Sequence, residues 1–474
     1  MRRASCMIWA IIIGAAALGC GGTKQPATQV APPELVLPDA RTCPGALPGE
    51  NIQVTTAIGE SNSPVISWTK DAFAIAWWDL RGRFPEVRTV RVDREGVNRS
   101  PAKRIPNKGS ARDQSLAWDG QEVHLVFSDD GRVMSARLGL ENEQPVVLAE
   151  SGKMPAAGAW GAAIWENGGR LYFRCDSMKQ DDANEEAPDP VVIATGGIEN
   201  PQMAFNGEFF AVVWSASAKG GREIRMQRVS PDGRKLGGPV RVSATAGTSR
   251  KPVIAWAGST FAVSWTNAAP ADQNPRDRFR VFFAIVPDVG DAPTMTRQLK
   301  FQGSADQVAL AATGKEFGLA WVGSKKPVGS AVFLQRIGLD GKVLGDTTEV
   351  TDGVPLTCGR PSLAWDGSGY GVTWHDDRAK TGAEVFFSYV ECGEELPEPA
   401  APAPEPTAAP ADAGPGEKAS PAGEPPALKE AFSEKKAEPE KKDKAKKKAP
   451  KKDKPEKNSE KKDKAKKAKP AEKK

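Results

Sequence analysis

Three short segments place acidic, basic and aromatic groups at matching spacings, and any chemistry is first sought there. Trp77-Trp78-Asp79-Leu80-Arg81 shares its Trp, Asp and Arg positions with Trp374-His375-Asp376-Asp377-Arg378. Phe127-Ser128-Asp129-Asp130-Gly131-Arg132 is a looser copy. A carboxylate, a guanidinium and an aromatic face held close together can bind a cation, a glycan or a peptide terminus. The candidate binding residues are therefore Trp78, Asp79, Arg81, Asp129, His375, Asp376, Asp377 and Arg378. A plainer reading has each strand-end Asp capping its own loop, with the Arg paired across to the next repeat.

Catalytic constellations mostly fail. Of the two histidines, His124 sits in a strand where other repeats carry Ala or Gly, which suits a packed side chain. His375 is the more accessible candidate, but a zinc site needs three or four ligands and none accompanies it at ligand spacing. No metal and no cofactor is expected, and no catalytic residue is assigned. Nucleophile elbow, P-loop and EF-hand patterns are missing. Adjacent carboxylates such as Asp376 and Asp377 are usually just solvated, and glycoside hydrolysis needs a pair at a set separation.

The elements that would position these groups form a repeat. Residues 43–396 contain 12 of the 13 tryptophans and lack long amphipathic helical periods. One unit recurs: Pro-x-aliphatic-Ala-Trp, a turn, then aromatic-x-aliphatic-x-Trp. It reads Pro64 to Trp68 with Phe73 to Trp77, Pro252 to Trp256 with Phe261 to Trp265, and Pro361 to Trp365 with Tyr370 to Trp374. Weaker copies end at Phe127, Trp165, Trp214 and Trp321, giving seven in all. Each continues through a variable loop, a third strand, a tight turn such as Ser230-Pro231-Asp232-Gly233, and a fourth strand. Four antiparallel strands per repeat of about fifty residues is the blade of a β-propeller. The expected fold is all-β, a seven-bladed β-propeller, with open β-sandwiches as the alternative. The period-2 alternation puts Phe261, Val263 and Trp265 on one face, towards a neighbouring blade.

The last copy runs out after three strands, and the residues before the first copy supply a fourth. Aligned without gaps, Ile52-Gln53-Val54 falls on Val240-Arg241-Val242, so an N-terminal strand should close the ring and leave no open edge. The turn position of Pro231 then corresponds to both Cys43 and Cys392, predicting a disulfide between them. Cys175 and Cys358 fall far apart and should not bond. The variable second-to-third-strand loops (215–222, 266–280, 322–330 and 375–383) share one face with the between-repeat loops. Any site is expected on that face, near the central channel.

Both ends of the chain read differently from this body. Arg2 and Arg3 precede the apolar run Met7 to Leu18, which is too short to span a bilayer comfortably. The stretch Ala15-Ala16-Ala17-Leu18-Gly19-Cys20 resembles the lipobox of bacterial lipoproteins, although Leu18 stands one place later than the usual leucine. The resemblance implies cleavage before Cys20, lipidation of that residue and stable membrane anchoring. Gly21, where an Asp would resemble an inner-membrane retention signal, leans towards the outer membrane. From Pro397 the chain is rich in Pro, Ala and Glu, and 429–474 hold 21 Lys against 10 acidic residues, a net of +11. The whole chain carries +5, so everything before 429 sums to −6. With almost nothing apolar to bury, this tail should be disordered.

The expected layout is a signal peptide (1–19), a flexible tether (20–42), the propeller (43–396) and the disordered Lys/Pro/Ala-rich tail (397–474). The repeats resemble the β-propeller repeats of envelope proteins. They lack the Gly-His and Trp-Asp signature of WD40 blades, the double glycine of kelch and the Ser-x-Asp-x-Gly-x-x-Trp box of sialidases. The expected role is a non-enzymatic binding or scaffold module for an envelope protein or glycan, held to the membrane through its lipid. The alternative is a carbohydrate-active hydrolase or lyase using carboxylates on the loop face. The tail suits contact with anionic surface polymers, and export argues against nucleic acid as a partner.

Overall fold

In the computed structural model the described residues are 38–56, 59–139, 144–176, 188–244, 247–268, 279–301, 305–325, 329–352, 357–380 and 382–393. The expected signal peptide, Cys20, most of the tether and the tail lie outside them, as does most of the 266–280 loop. The chain divides into the compact unit Met1–Pro399 and a second unit, Ala400–Lys474, and every described residue belongs to the first.

The described residues of that unit are all-β apart from one short 3-10 turn at Ala159–Gly161. Two short strands, β1 (Ala46–Pro48) and β2 (Ile52–Gln53), come first. Then follow β3 (Ser61–Trp68), β4 (Phe73–Asp79), β5 (Glu86–Val92) and β6 (Lys103–Arg104) in one antiparallel sheet. The next holds β7 (Ala111–Trp118), β8 (Val123–Asp129), β9 (Arg132–Leu138) and β10 (Val146–Ala149). Another holds β11 (Lys153–Ala157), β12 (Ala162–Asn167), β13 (Arg170–Cys175) and β14 (Val191–Thr195). Strands β15 (Ile198–Phe205), β16 (Phe210–Ala218), β17 (Gly221–Val229) and β18 (Lys235–Arg241) are joined by a single parallel bridge, Arg222 to Thr248, to the strands that follow. Those are β19 (Thr248–Trp256), β20 (Thr260–Ala268), β21 (Phe279–Pro287) and β22 (Met295–Gln298). After β23 (Ala305–Ala312), β24 (Glu316–Ser324), β25 (Ser330–Gly338) and β26 (Val343–Glu349) come β27 (Ser362–Trp365), β28 (Gly369–Asp376) and β29 (Glu384–Cys392). The first strands of successive sheets touch in the order β3, β7, β11, β15, β19, β23, β27, and β27 returns to β3. This is a β-propeller fold.

The repeat motif explains the packing. Alternation along β20 buries Phe261, Val263 and Trp265 against Ala211, Val213, Ile224 and Met226 of the preceding sheet. Small residues accept the large ones between sheets. A Cβ on Gly318 would come within 2.6 Å of the Tyr370 ring, and one on Gly371 within 2.5 Å of Phe73. The second contact spans the closure, because Gly371 belongs to the last repeat and Phe73 to the first. Each buried ring also withdraws a large apolar area from water.

The closing strand is where sequence reasoning expected it, in two pieces rather than one. In β1, Ala46, Leu47 and Pro48 pair with Cys392, Glu391 and Val390; in β2, Ile52 and Gln53 pair with Phe387 and Phe386. Val54 N donates to Val385 O at 2.8 Å and continues the ladder. Cys43 and Cys392 form a disulfide with Cα atoms 4.7 Å apart and a sequence separation of 349. Around it Arg41 Nη2 donates to Gly393 O at 2.7 Å, and Cys43 N donates to Glu316 Oε1 at 3.2 Å. Cys175 and Cys358 are not disulfide-bonded, as expected.

Replacing Cys43 and Cys392 by Ser should lower the unfolding free energy by about 2–5 kcal/mol, since the bond constrains a very long loop of the unfolded chain. Denaturant melts of the variant and of wild type, with and without reductant, measure it; a reductant-insensitive wild type would contradict the assignment.

Candidate functional site

The Trp-x-Asp-x-Arg segments form at the ends of second strands, where the chain leaves the sheet for the variable loop. Asp79 is fully buried and accepts from Trp77 Nε1 (3.1 Å), Ser61 Oγ (3.0 Å), Arg81 N (3.1 Å) and Arg81 Nε (2.6 Å). Asp376, also fully buried, accepts from Trp374 Nε1 (2.7 Å), Arg378 N (3.0 Å) and Arg378 Nη2 (2.8 Å). The physical logic is one of satisfaction. A buried indole N–H and a loop-starting amide both need an acceptor, and one carboxylate serves both while the Arg neutralises it. Trp265, with Asn267 in place of the Asp, leaves its Nε1 without a hydrogen-bond partner among the described residues. Asp129 does the same loop work, accepting from Lys108 N (3.0 Å), Gly109 N (2.9 Å) and Arg132 Nη2 (2.8 Å).

These segments are therefore clamps within a repeat, and the expectation of an Arg reaching across to the next repeat is corrected: Arg81, Arg132 and Arg378 each return to their own Asp. Arg378 also meets Asp352 at 2.9 Å and Asn51 at 3.2 Å. Contacts between adjacent repeats come from other members of the set. His375 Nδ1 accepts from Ser63 N at 3.2 Å, and the Arg112 guanidinium lies 5.0 Å from the centre of the Trp78 ring. His375 is less accessible than the sequence implied. It is only partly exposed, and its ring lies against Gly359, where a Cβ would come within van der Waals overlap. Burial pushes its pKa down to about 4, against the opposing pull of Asp376. Burial also acts to raise the Asp79 pKa, but hydrogen bonds from Arg81 and Trp77 and the Arg81 charge outweigh it and hold the carboxyl low. Asp377 is exposed and accepts from Thr357 N at 3.0 Å.

A second arrangement, missed from the sequence, lies where the first strands meet. Six of them carry a non-glycine residue of positive φ at one equivalent bulge: Ser63 (51°), Asp113 (54°), Met154 (50°), Asn200 (49°), Lys251 (50°) and Gln307 (56°). Such a bulge turns one side chain off the regular alternation and re-aims it. All of these except Ser63, together with Gln114 and Arg360, line a cavity of about 160 Å³. The signal in the sequence is the position just before the repeated proline, as in Ser63-Pro64, Met154-Pro155, Asn200-Pro201, Lys251-Pro252 and Arg360-Pro361. The residue type there differs in every repeat, so a search for recurring types passes over it.

Cavity and clamps share one end of the fold. Ser61 pairs with Asp79 and Ala111 with Asp129, so residues 63 and 113 stand two places from the loop edge. Among the described residues no group of three or more His, Cys, Asp or Glu is placed to hold a metal ion. No helix among them is long and apolar enough to cross a membrane.

No family model and no curated protein matches this chain in sequence. In backbone it is similar to a protein of unknown function from Dyadobacter fermentans (12% identity, TM-score 0.47, 74% of this chain and 100% of that one). It is also similar to the phage phi92 endosialidase (10%, 0.47, 76% and 71%). A third is the hydrazine synthase of Kuenenia stuttgartiensis (11%, 0.46, 70% and 96%).

Asp376→Ala should destabilise the fold by about 2–4 kcal/mol, because it strands a buried indole N–H and uncouples Arg378. Asp376→Asn, which keeps an acceptor, should cost less. Chemical denaturation checks both, and unchanged stability would restore Asp376 as a ligand-facing group. His375 makes stability fall as pH drops from 6.5 towards 4, because the unfolded ring takes up a proton there and the folded one does not. His375→Gln should flatten that part of the pH–stability curve; an unaltered slope would contradict the assignment.

Proposed function

We propose that this chain is a lipid-anchored envelope protein whose seven-bladed propeller is a non-enzymatic binding module, with its loop face turned away from the membrane. The observation that carries the reading is where the two ends of the described chain lie. Arg41 N donates to Thr313 O in the turn between β23 and β24, and Trp365 Nε1 donates to Asp39 O beside the turn between β27 and β28. Gly393 N donates to Gly45 O at 3.2 Å, next to the disulfide. Both ends thus leave at the tight-turn end of the strands. The variable loops and the cavity occupy the other end, because Asp376 pairs with Glu384 at the loop edge while Gly369 pairs with Glu391 near the turns.

The count of seven is supported by the cycle of first-strand contacts from β3 through β27 and back. Lipidation at Cys20 rests on the lipobox-like segment, and the Lys-rich stretch 429–474 suits a second, electrostatic hold on an anionic surface. An outer-membrane location follows the same segment. Binding is favoured over hydrolysis because Asp79, Asp129 and Asp376 are each committed to a neighbouring Arg and to buried donors. A hydrolase would need two carboxylates turned to substrate.

A photoreactive amino acid at Asp377, on the loop face, should crosslink to envelope protein or glycan, while one at Asp340, in a tight turn, should give adducts with lipid. Mass spectrometry of the adducts decides, and the reverse pattern would overturn the orientation. Cys20→Ala should move the protein from the membrane fraction to the soluble one.

A further inference from the structure

The cavity between the first strands holds charges of both signs that are not spent on each other. Asp113 is exposed to it and, among the described residues, has one side-chain hydrogen bond, from Ser128 Oγ at 3.2 Å. Arg360 is reached by water yet surrounded by protein, and burial lowers its pKa against the opposing field of Asp113. Among the described residues no hydrogen bond or ion pair holds that guanidinium. The two groups act on one another across the cavity without meeting.

A further group points to a ligand independently. Gln114, the residue after Asp113, is 4% exposed and lines the same cavity. Its Nε2 is used by Ser63 O, while its Oε1 is buried with no hydrogen-bond partner. An orphaned acceptor of this kind is costly to bury unless a donor fills it. Asp113 and Gln114 are thus successive acceptor-bearing residues of β7, and a cation lies before β27. Lys251, which has a contact of its own, adds positive charge to the wall.

We propose that this cavity binds a free α-amino acid, its ammonium on Asp113 and Gln114 Oε1 and its carboxylate on Arg360. An ammonium offers three donors to the two acceptors, and a guanidinium is matched to a carboxylate. The volume is enough for one such molecule: about 160 Å³ is close to the roughly 150 Å³ that holds a single benzene ring. The main chain of a peptide interior carries neither charge, whereas a free amino acid carries both on one carbon. This deepens the binding-module reading by giving its channel a ligand class.

The test is calorimetric titration of the whole protein with L-glutamate and L-alanine, beside propionate (carboxylate alone) and ethylamine (ammonium alone). Saturable binding is expected for at least one amino acid and for neither single-charge probe. Asp113→Asn, which tolerates the same positive φ, and Arg360→Gln should each weaken it about tenfold or more. Melting temperatures close to wild type show that both variants fold. Absence of saturable binding, equal binding of propionate, or affinity unchanged in Arg360→Gln would overturn the proposal. Crosslinking from Asp377 would survive such a failure, so the binding-module reading is tested separately.

Discussion

An antiparallel sheet with an unpaired edge exposes a row of N–H and C=O groups, and a ring of sheets adds a second demand, that the last sheet pack on the first. Here both demands fall on one place. Strand β29 receives β1 and β2 from more than three hundred residues upstream, and Phe73 of the first sheet packs on Gly371 of the last. Stacked sheets on either side then bury their Trp, Phe and Tyr rings, and the first strands are brought close enough to enclose a cavity. Without closure, the cavity would lose the wall that carries Arg360 and the ends of the described chain would not meet.

Much of this was legible because it repeats. The closing strand followed from aligning Ile52-Gln53-Val54 with Val240-Arg241-Val242, and Cys43–Cys392 followed from placing both residues on the turn of Pro231. The division of the closing strand into β1 and β2 was not legible, since alternation over eight residues does not reveal a break at Gly49–Asn51. The part these acidic groups play in the loops was not legible, for a physical reason. Trp-x-Asp-x-Arg carries the residue types of a ligand site, but only the structure shows the indole N–H of Trp77 or Trp374 turned onto the Asp two residues on. Recurrence marked these residues because every copy needs the same loop start satisfied. The cavity residues vary from Asp113 and Met154 to Lys251 and Arg360, and that variation gives the channel its mixed charge.

The fold also separates two tasks by face. Tight turns and both ends of the described chain occupy one end of the strands, while longer loops and the re-aimed side chains of the bulges occupy the other. A positive φ at Asp113 or Lys251 is a backbone conformation of raised energy. Its effect is to aim a polar side chain into the channel where an alternating strand would present an apolar one. The Asp–Arg clamps hold the rim of that face steady around it.

Amide hydrogen exchange tests closure most directly. The Val54 amide, bonded to Val385 O, and the Gly49 amide, bonded to Tyr389 O, should be protected as strongly as Val213 within β16. Protection of all three should be lost together, in one cooperative opening. Fast exchange at Val54 and Gly49 with Val213 still protected would mean that the N-terminal strand does not complete the last sheet.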